Sequence, residues 1–207
     1  SARYPNRLFS NEFEQERIAD VGLILDARQR TNVTAAGQNL FEHAIRATAA
    51  LADSFLKDGS RVGLLIYGRG LERTYPGYGK LQRQSIMRAL SHAQIGDSLV
   101  FDNLDYLPTR FFPSESQIVL ISPLCQDDPS VLTGIRARGY SVLVISPDPV
   151  DFEAQIIGGR DDSFVRIARE IAEIERGLWI KTLRRVGVRV VNWNVVDPLD
   201  NAIQQTL

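Results

Sequence analysis

Ile18–Asp26 reads IADVGLILD and Arg61–Tyr67 reads RVGLLIY. Both stretches are almost continuous in apolar residues, and neither alternates as a strand with one wet face would. A short unbroken apolar run bounded by polar residues is the pattern of a strand buried on both faces, which is the normal state of a parallel sheet under helices. Gln117–Ser122 (QIVLIS) and Tyr140–Ser146 (YSVLVIS) repeat the pattern, and Val188–Val191 predicts a last strand. Helical spacing fills the intervals. Gln38–Leu56 carries Leu40, Phe41, Ala44, Ile45, Leu51, Ala52 and Phe55 at helical positions, with Gly59 after them. Leu81–His92 predicts a second helix. Asp128-Pro129 opens a third, which Gly139 closes. A long helix starts at Asp161 or Asp162 and runs to about Arg185, and Asp197-Pro198 opens a terminal one.

One hairpin interrupts the alternation. Gly68-Arg69-Gly70 turns the chain into Leu71–Tyr75, predicted as an antiparallel edge strand, and Pro76-Gly77-Tyr78-Gly79 forms the following loop. The predicted architecture is therefore α/β: a three-layer, open, mainly parallel sheet with helices on both faces and one antiparallel edge strand. Residues 1–17 read as an irregular lead-in, 18–153 as the domain proper, and 154–207 as a helical extension with a last strand, packed on the same domain. Gly96–Ser114 is the least regular stretch, a loop with a short helical turn.

Composition narrows the function. The 207 residues are 44% hydrophobic and 24% charged, with a net charge of −1. No global field draws the surface to nucleic acid or anionic lipid. A single cysteine, Cys125, excludes an internal disulfide and any multi-cysteine metal site. The longest apolar runs fall far below the roughly 20 residues of a membrane helix. The first residue is Ser1, so the chain reads as a fragment of a longer protein.

In an open α/β sheet, ligands bind beyond the carboxyl ends of the strands, where the strand order reverses. The residues leaving those ends are Asp26-Ala27-Arg28-Gln29-Arg30, Gly68-Arg69-Gly70, Ser122-Pro123-Leu124-Cys125-Gln126-Asp127 and Ser146-Pro147-Asp148. A first strand ending in Asp26, a long helix, then RVGLLIYG and a short antiparallel strand resembles the von Willebrand factor A layout, a Rossmann-like fold. Ser1-Ala2-Arg3, then Phe13-Glu14-Gln15-Glu16-Arg17, then the strand through Leu25-Asp26, is similar to the prokaryotic family called domain of unknown function 58, over about Ser1 to Glu153.

The A-type resemblance implies an Mg²⁺ site built from an Asp-x-Ser-x-Ser motif, a threonine from a second loop and an aspartate from a third. Here the first motif reads Asp26-Ala27-Arg28-Gln29-Arg30, the second loop has no aligned threonine, and the third-loop step reads Ser122-Pro123. Mg²⁺ wants an octahedron of oxygens, and a guanidinium offers no acceptor. Two fixed cations raise the cost of a dication there by several kcal/mol. The expectation is a degenerate metal-ion-dependent adhesion site with no metal, no cofactor and no catalysis.

The candidate partner- or ligand-binding residues are Asp26, Arg28, Arg30, Ser122, Asp127 and Asp128. Arg28 and Arg30 read either as a binding rim or as ion-pair partners of Asp26 and nearby carboxylates. Asp127-Asp128 reads as a replacement third-loop acid or, for Asp128, as a helix cap. Cys125 has no histidine near it in sequence, and His43 and His92 stand isolated on predicted helices, so no nucleophile–base pair is legible. Asp97–Phe112 reads as a docking loop or as a loop packed on the sheet edge, with the second favoured. The helix Phe164–Arg185, with Ile167, Ile171, Ile174, Leu178 and Leu183, reads as core packing, and as a dimer interface if its stripe is only half covered.

The family resemblance implies a neighbouring MoxR-type AAA+ ATPase and upstream membrane segments. The function expected is a non-catalytic interaction module, an adaptor or scaffold for such an ATPase in protein assembly, on the cytoplasmic side. Two alternatives stay open: a binder of a small anion at Arg28 and Arg30, and a metal-assisted hydrolase using Asp26, Asp127 and Asp148.

Overall fold

A computed structural model describes residues 20–98, 100–157 and 163–206. The lead-in and the Asp161/Asp162 cap predicted for the long helix lie outside these residues. Among these residues, six strands form one sheet: β1 (Asp20–Ala27), β4 (Arg61–Gly68), β5 (Leu71–Gly77), β6 (Gln117–Ile121), β7 (Ser141–Pro147) and β8 (Arg189–Trp193). Their order is β5-β4-β1-β6-β7-β8. All neighbours pair in parallel except β4 and β5, the predicted edge hairpin. A tight ribbon, β2 (Thr34–Ala35) with β3 (Gln38–Asn39), precedes the first helix and was not legible in the sequence.

Among the described residues, six helices cover the sheet: α1 (Leu40–Lys57), α2 (Gly79–Ser91), α3 (Asp128–Ala137), α4 (Pro149–Ile157), α5 (Ser163–Arg185) and α6 (Leu199–Thr206). The two-residue period of each strand sorts its side chains between two cores. Val21, Leu23 and Leu25 of β1 meet α1, α2 and α6 through Leu51, Phe55, Ile86 and Ile203. Ile24, with Leu65, Ile118, Leu120 and Val144, meets α3 and α5 through Leu132, Ile135, Ile180 and Leu183.

The irregular stretch joins this second core. Leu104, Leu107 and Phe112 are buried in it, and two 3-10 turns, Leu104–Tyr106 and Thr109–Phe111, shape the path. It is therefore packed rather than held out as a free loop, and it reaches beyond the expected edge, from Tyr75 of β5 across the face of the sheet to Gly22 of β1. Gly22 is what admits it: a Cβ there would lie 2.7 Å from the Phe112 ring. The helix α4 was missed in the sequence. Its signal was present as Asp148-Pro149, the same step that announced α3 and α6. Asp148 caps α4, accepting from the backbone N–H groups of Val150 (3.0 Å) and Asp151 (3.2 Å).

The extension continues the sheet. β8 pairs with β7 from Leu143↔Arg189 to Pro147↔Trp193, and its Val190 and Val191 are fully buried.

Candidate functional site: an arginine between two carboxylates

The chain runs from β1 outward to β4 and β5, then returns to the other side of β1 as β6, β7 and β8. The order therefore reverses between β1 and β6, which makes their carboxyl ends the switch point. Register brings two candidates together there. Leu25 pairs with Ile121, so the next residues, Asp26 and Ser122, lie side by side on the face that packs α3. Ser122 Oγ donates to Asp26 Oδ2 at 2.6 Å.

Two residues beyond Asp26, Arg28 turns back over the strand end and is 1% exposed. Its Nε donates to Asp26 Oδ1 (2.9 Å) and its Nη2 to Asp26 Oδ2 (2.7 Å). On its other edge Nη2 donates to Asp128 Oδ2 (2.8 Å) and Nη1 to Asp128 Oδ1 (3.0 Å). A longer contact runs from Nη1 to the Asp102 carbonyl (3.4 Å). A guanidinium has five N–H donors in a planar fork. Here each has an acceptor, and both carboxylates are held bidentately.

The acids are equally satisfied. Asp26 Oδ1 also accepts from the Arg28 backbone N–H (3.1 Å), and Asp128 Oδ2 from the Cys125 N–H (2.7 Å). Burial opposes the charge on Arg28, but its bonds and charge pairing with Asp26, then Asp128, outweigh that and hold the guanidinium above its usual value. Burial pushes the Asp128 carboxyl up against the opposing pull of Arg28. Two carboxylates share one guanidinium.

These contacts decide between several sequence readings. Arg28 is not a rim residue; it is the ion-pair partner of Asp26. Asp128 is not a helix cap: its carboxylate turns to Arg28 and to the Cys125 N–H, on the approach to the helix. Arg30 does lie on the rim. Its Nη1 donates to Asp127 Oδ2 at 2.9 Å, and both side chains are partly in solvent. That bond raises Arg30 above its ordinary value. The three acids of the hydrolase alternative are each engaged by a different arginine: Asp26 by Arg28, Asp127 by Arg30, Asp148 by Arg176. Among the described residues, no group of three His, Cys, Asp or Glu side chains is gathered that would hold an ion.

Cys125 borders the cage, and burial pushes its thiol up to about 11, far from a neutral-pH nucleophile. His43 packs edge-on against Phe152 and Trp193, and His92 Nδ1 lies 2.8 Å from the Arg88 carbonyl. Between Ser122 and Cys125, Leu124 adopts φ +66°, a left-handed conformation that a branched side chain rarely takes. Its N–H is fixed by Ser122 Oγ at 3.0 Å.

Two site residues escaped the sequence reading. Tyr67, buried at the end of β4, donates to the Asn103 carbonyl (2.6 Å) and packs edge-on against Phe101, pinning the loop that supplies the Asp102 carbonyl. Burial pushes its phenol up to about 12. Arg176, on α5, is 4% exposed and spans three strand ends. It donates to the carbonyls of Pro123 (2.6 Å) and Ser146 (3.2 Å), to Ser146 Oγ (2.9 Å), to Asn192 Oδ1 (2.7 Å) and to Asp148 Oδ2 (3.2 Å). Desolvation lowers its pKa despite Asp148. The signal for Arg176 was its spacing: it precedes Ile180 by four and Leu183 by seven, on the stripe that faces the core.

The crystal structure of an aerotolerance-related membrane protein from Bacteroides fragilis aligns over 91% of this chain and 98% of its own, at TM-score 0.54 and 15% identity. That of the conserved hypothetical protein BatB from Bacteroides thetaiotaomicron aligns over 91% and 96%, at TM-score 0.55 and 14% identity. At such identities the likeness is one of fold. No curated protein matches the chain. The family model for "Protein of unknown function DUF58" matches residues 1–153, and the chain belongs to that family.

Proposed function

We propose that this chain is a metal-independent interaction module of the von Willebrand factor A type, in which an internal guanidinium occupies the place of the divalent ion. The observation that carries this reading is the cage at the switch point. Asp26 and Asp128 converge as two metal-binding carboxylates would, and Arg28 saturates both. A saturated, fully desolvated cage neither activates water nor offers a free N–H to a small anion. What remains for recognition is the surface above it: Arg30, Asp127, Asp102 and the exposed Tyr106.

The partner we propose is the MoxR-type AAA+ ATPase that the family resemblance implies, with the chain acting as adaptor or scaffold in protein assembly. Among the described residues no helix is long and apolar enough to cross a membrane. One fold neighbour is described as a membrane protein. Both fit a domain carried on a membrane anchor elsewhere in the full-length protein.

The test uses purified full-length protein and the neighbouring ATPase. Arg30→Glu reverses the rim charge outside the cage, so the fold should melt as wild type while capture weakens at least about tenfold, the size of a lost charged contact in an interface. Undiminished capture would move the interface elsewhere. Calorimetric titration with Mg²⁺ and Mn²⁺ should show no micromolar binding. Binding abolished by Asp26→Ala would defeat the metal-independent reading.

A further inference from the structure

The net charge of −1 conceals a separation of charge along the strand axis. The helix α5 shows it. Its buried side chains, Arg176, Ile180 and Leu183, lie in its second half. From Ser163 to Glu175 every residue is exposed except Ala172, which is half-buried. Ile167, Ile171, Ile174 and Leu178 are each more than half exposed, so the sequence reading of this stripe as core packing is overturned for all but the last turns of the helix. The exposed half stands beyond Arg176 at the carboxyl ends of the strands and carries Glu170, Glu173 and Glu175, and the exposed Asp102 and Asp127 share that end. The last turns carry Lys181, Arg184 and Arg185 to the opposite end, where the parallel strands begin.

The helix α3 ends beside them. Arg136 and Arg138 are exposed there, and a Cβ on Gly187, in the turn from α5 to β8, would lie 3.5 Å from Arg136 Nε. Five exposed cations therefore gather on one corner, and among the described residues none of the five pairs with a carboxylate. Arg136 and Arg184 donate to backbone carbonyls, of Tyr140 (3.3 Å) and Val190 (2.9 Å), which leaves their charge in place. A helix end carries about half a negative elementary charge, so the ends of α3 and α5 together offset about one of the five. Of the acids at this end, Asp20 is taken by Arg61 and Asp53 by Lys57 and Arg83, which leaves Asp58 and Glu115 exposed. Apolar side chains are exposed at the same end. Val186 follows Arg185 at the corner. Tyr78 and Leu81 stand by the far edge of the sheet, just after Gly77, which pairs with Val62 near the start of β4. Five strand spacings of about 4.8 Å set the two groups roughly 24 Å apart.

We propose that the end of the domain where the parallel strands begin lies against an anionic phospholipid surface. The five cations meet the headgroup charge, and Val186, Tyr78 and Leu81 reach the apolar layer below it. A nucleic acid or an acidic peptide is matched by the cations alone and gives the apolar groups nothing to enter. The acids at the other end are repelled by the same surface, which fixes the orientation: the strand-end face with Arg30 and Asp127 points into solution. The proposal stands on the placement of charge and apolar groups, and needs neither the cage nor an anchor in the membrane.

Flotation of the intact chain with vesicles tests it. Each basic residue near an anionic bilayer multiplies binding about fivefold, so five predict half-saturation near 0.3 mM accessible lipid, in order of magnitude. Vesicles of phosphatidylcholine and phosphatidylglycerol should carry the chain at about 0.1 M salt and release it at about 1 M, where screening is complete within about 3 Å. Vesicles of phosphatidylcholine alone should not carry it. Lys181→Glu with Arg185→Glu should melt as wild type and bind at least about a hundredfold more weakly. Arg166→Glu, at the other end of α5, should not weaken binding. Orientation is read from a nitroxide in a Cys125→Ser background. At Val186→Cys the label should become shielded from an aqueous nickel relaxant when vesicles are added, and at Glu170→Cys it should stay accessible. Binding that ignores phosphatidylglycerol, binding that survives both glutamates, or a shielded label at Glu170→Cys would each overturn the proposal. So would capture of duplex DNA or of a polyglutamate peptide by a chain that leaves the vesicles untouched. Because this corner lies at the opposite end of the sheet from Arg30, a failure here leaves the Mg²⁺ titration and the Arg30→Glu result intact.

Discussion

Arg28 is the residue on which the strand-end reading turns. Removing one partner from a buried ion pair leaves uncompensated charge and costs about 3–5 kcal/mol. Arg28→Ser leaves two buried carboxylates, Asp26 and Asp128, beside the Ser122 hydroxyl and a new one. This is an oxygen set of the kind that takes Mg²⁺ or Mn²⁺. The variant should therefore lose about that much stability in denaturant titration, and millimolar Mn²⁺ should raise its melting temperature while leaving wild type unmoved. Equal stability of variant and wild type would show that the cage contributes little. A wild-type response to Mn²⁺ would show that the guanidinium does not hold the site alone. The sequence pointed to Asp26, Arg28 and Ser122 through strand ends and a broken motif. It named Asp128 as a candidate but left it also as a helix cap, because Asp-Pro is a strong helix-start signal that says nothing of a side chain turned toward a residue a hundred positions away. Whether an arginine sits in a cage or on a rim is decided by that contact alone.

At the scale of elements, Arg176 binds α5 to the ends of β6, β7 and β8, donating to the buried Pro123 carbonyl and Ser146 Oγ and to Asn192 Oδ1. Arg176→Met keeps the apolar stem and removes the donors. We expect faster amide exchange in the first turn of α4 and at the end of β8, with the amides of β1 and β4 unchanged, since the core under those strands is not touched. Uniform acceleration across the sheet would mean that Arg176 supports the whole fold rather than this corner. Strands were the most legible elements, because continuous apolar runs such as VGLILDA and VLVIS have few other readings. The ribbon of β2 and β3 was not, since its Ala36-Gly37 turn requires positive φ at both residues (44° and 80°) and alanine does not advertise it. Exposure of α5 was also invisible: an apolar stripe looks the same whether its cover is the same chain or another.

For the whole molecule, the family match ends at residue 153 but the sheet does not. β8 adds Val190, Val191 and Trp193 to the core, and α6 adds Ile203. A chain cut after Ile157 would expose the edge of β7, strip α5 from the second core and leave Asp148 without Arg176. Such a chain should be insoluble or melt without a cooperative transition, as measured by calorimetry. A soluble, cooperatively melting product would make residues 158–207 an accessory rather than a sixth of the sheet and part of both cores. The boundary between domain and extension followed the reach of the family resemblance, with the extension expected to pack on the same domain; the pairing of β8 with β7 is how it does so.

An ion held by coordination comes and goes with its concentration in the surrounding fluid, and a chelator can take it away. The cation between Asp26 and Asp128 is a side chain of the same polypeptide, that of Arg28. It has no dissociation rate and cannot be diluted. On the proposed reading, a surface built above such a fixture would be permanently loaded, and its engagement with a partner would be governed from the partner's side or by how many copies of this chain are present.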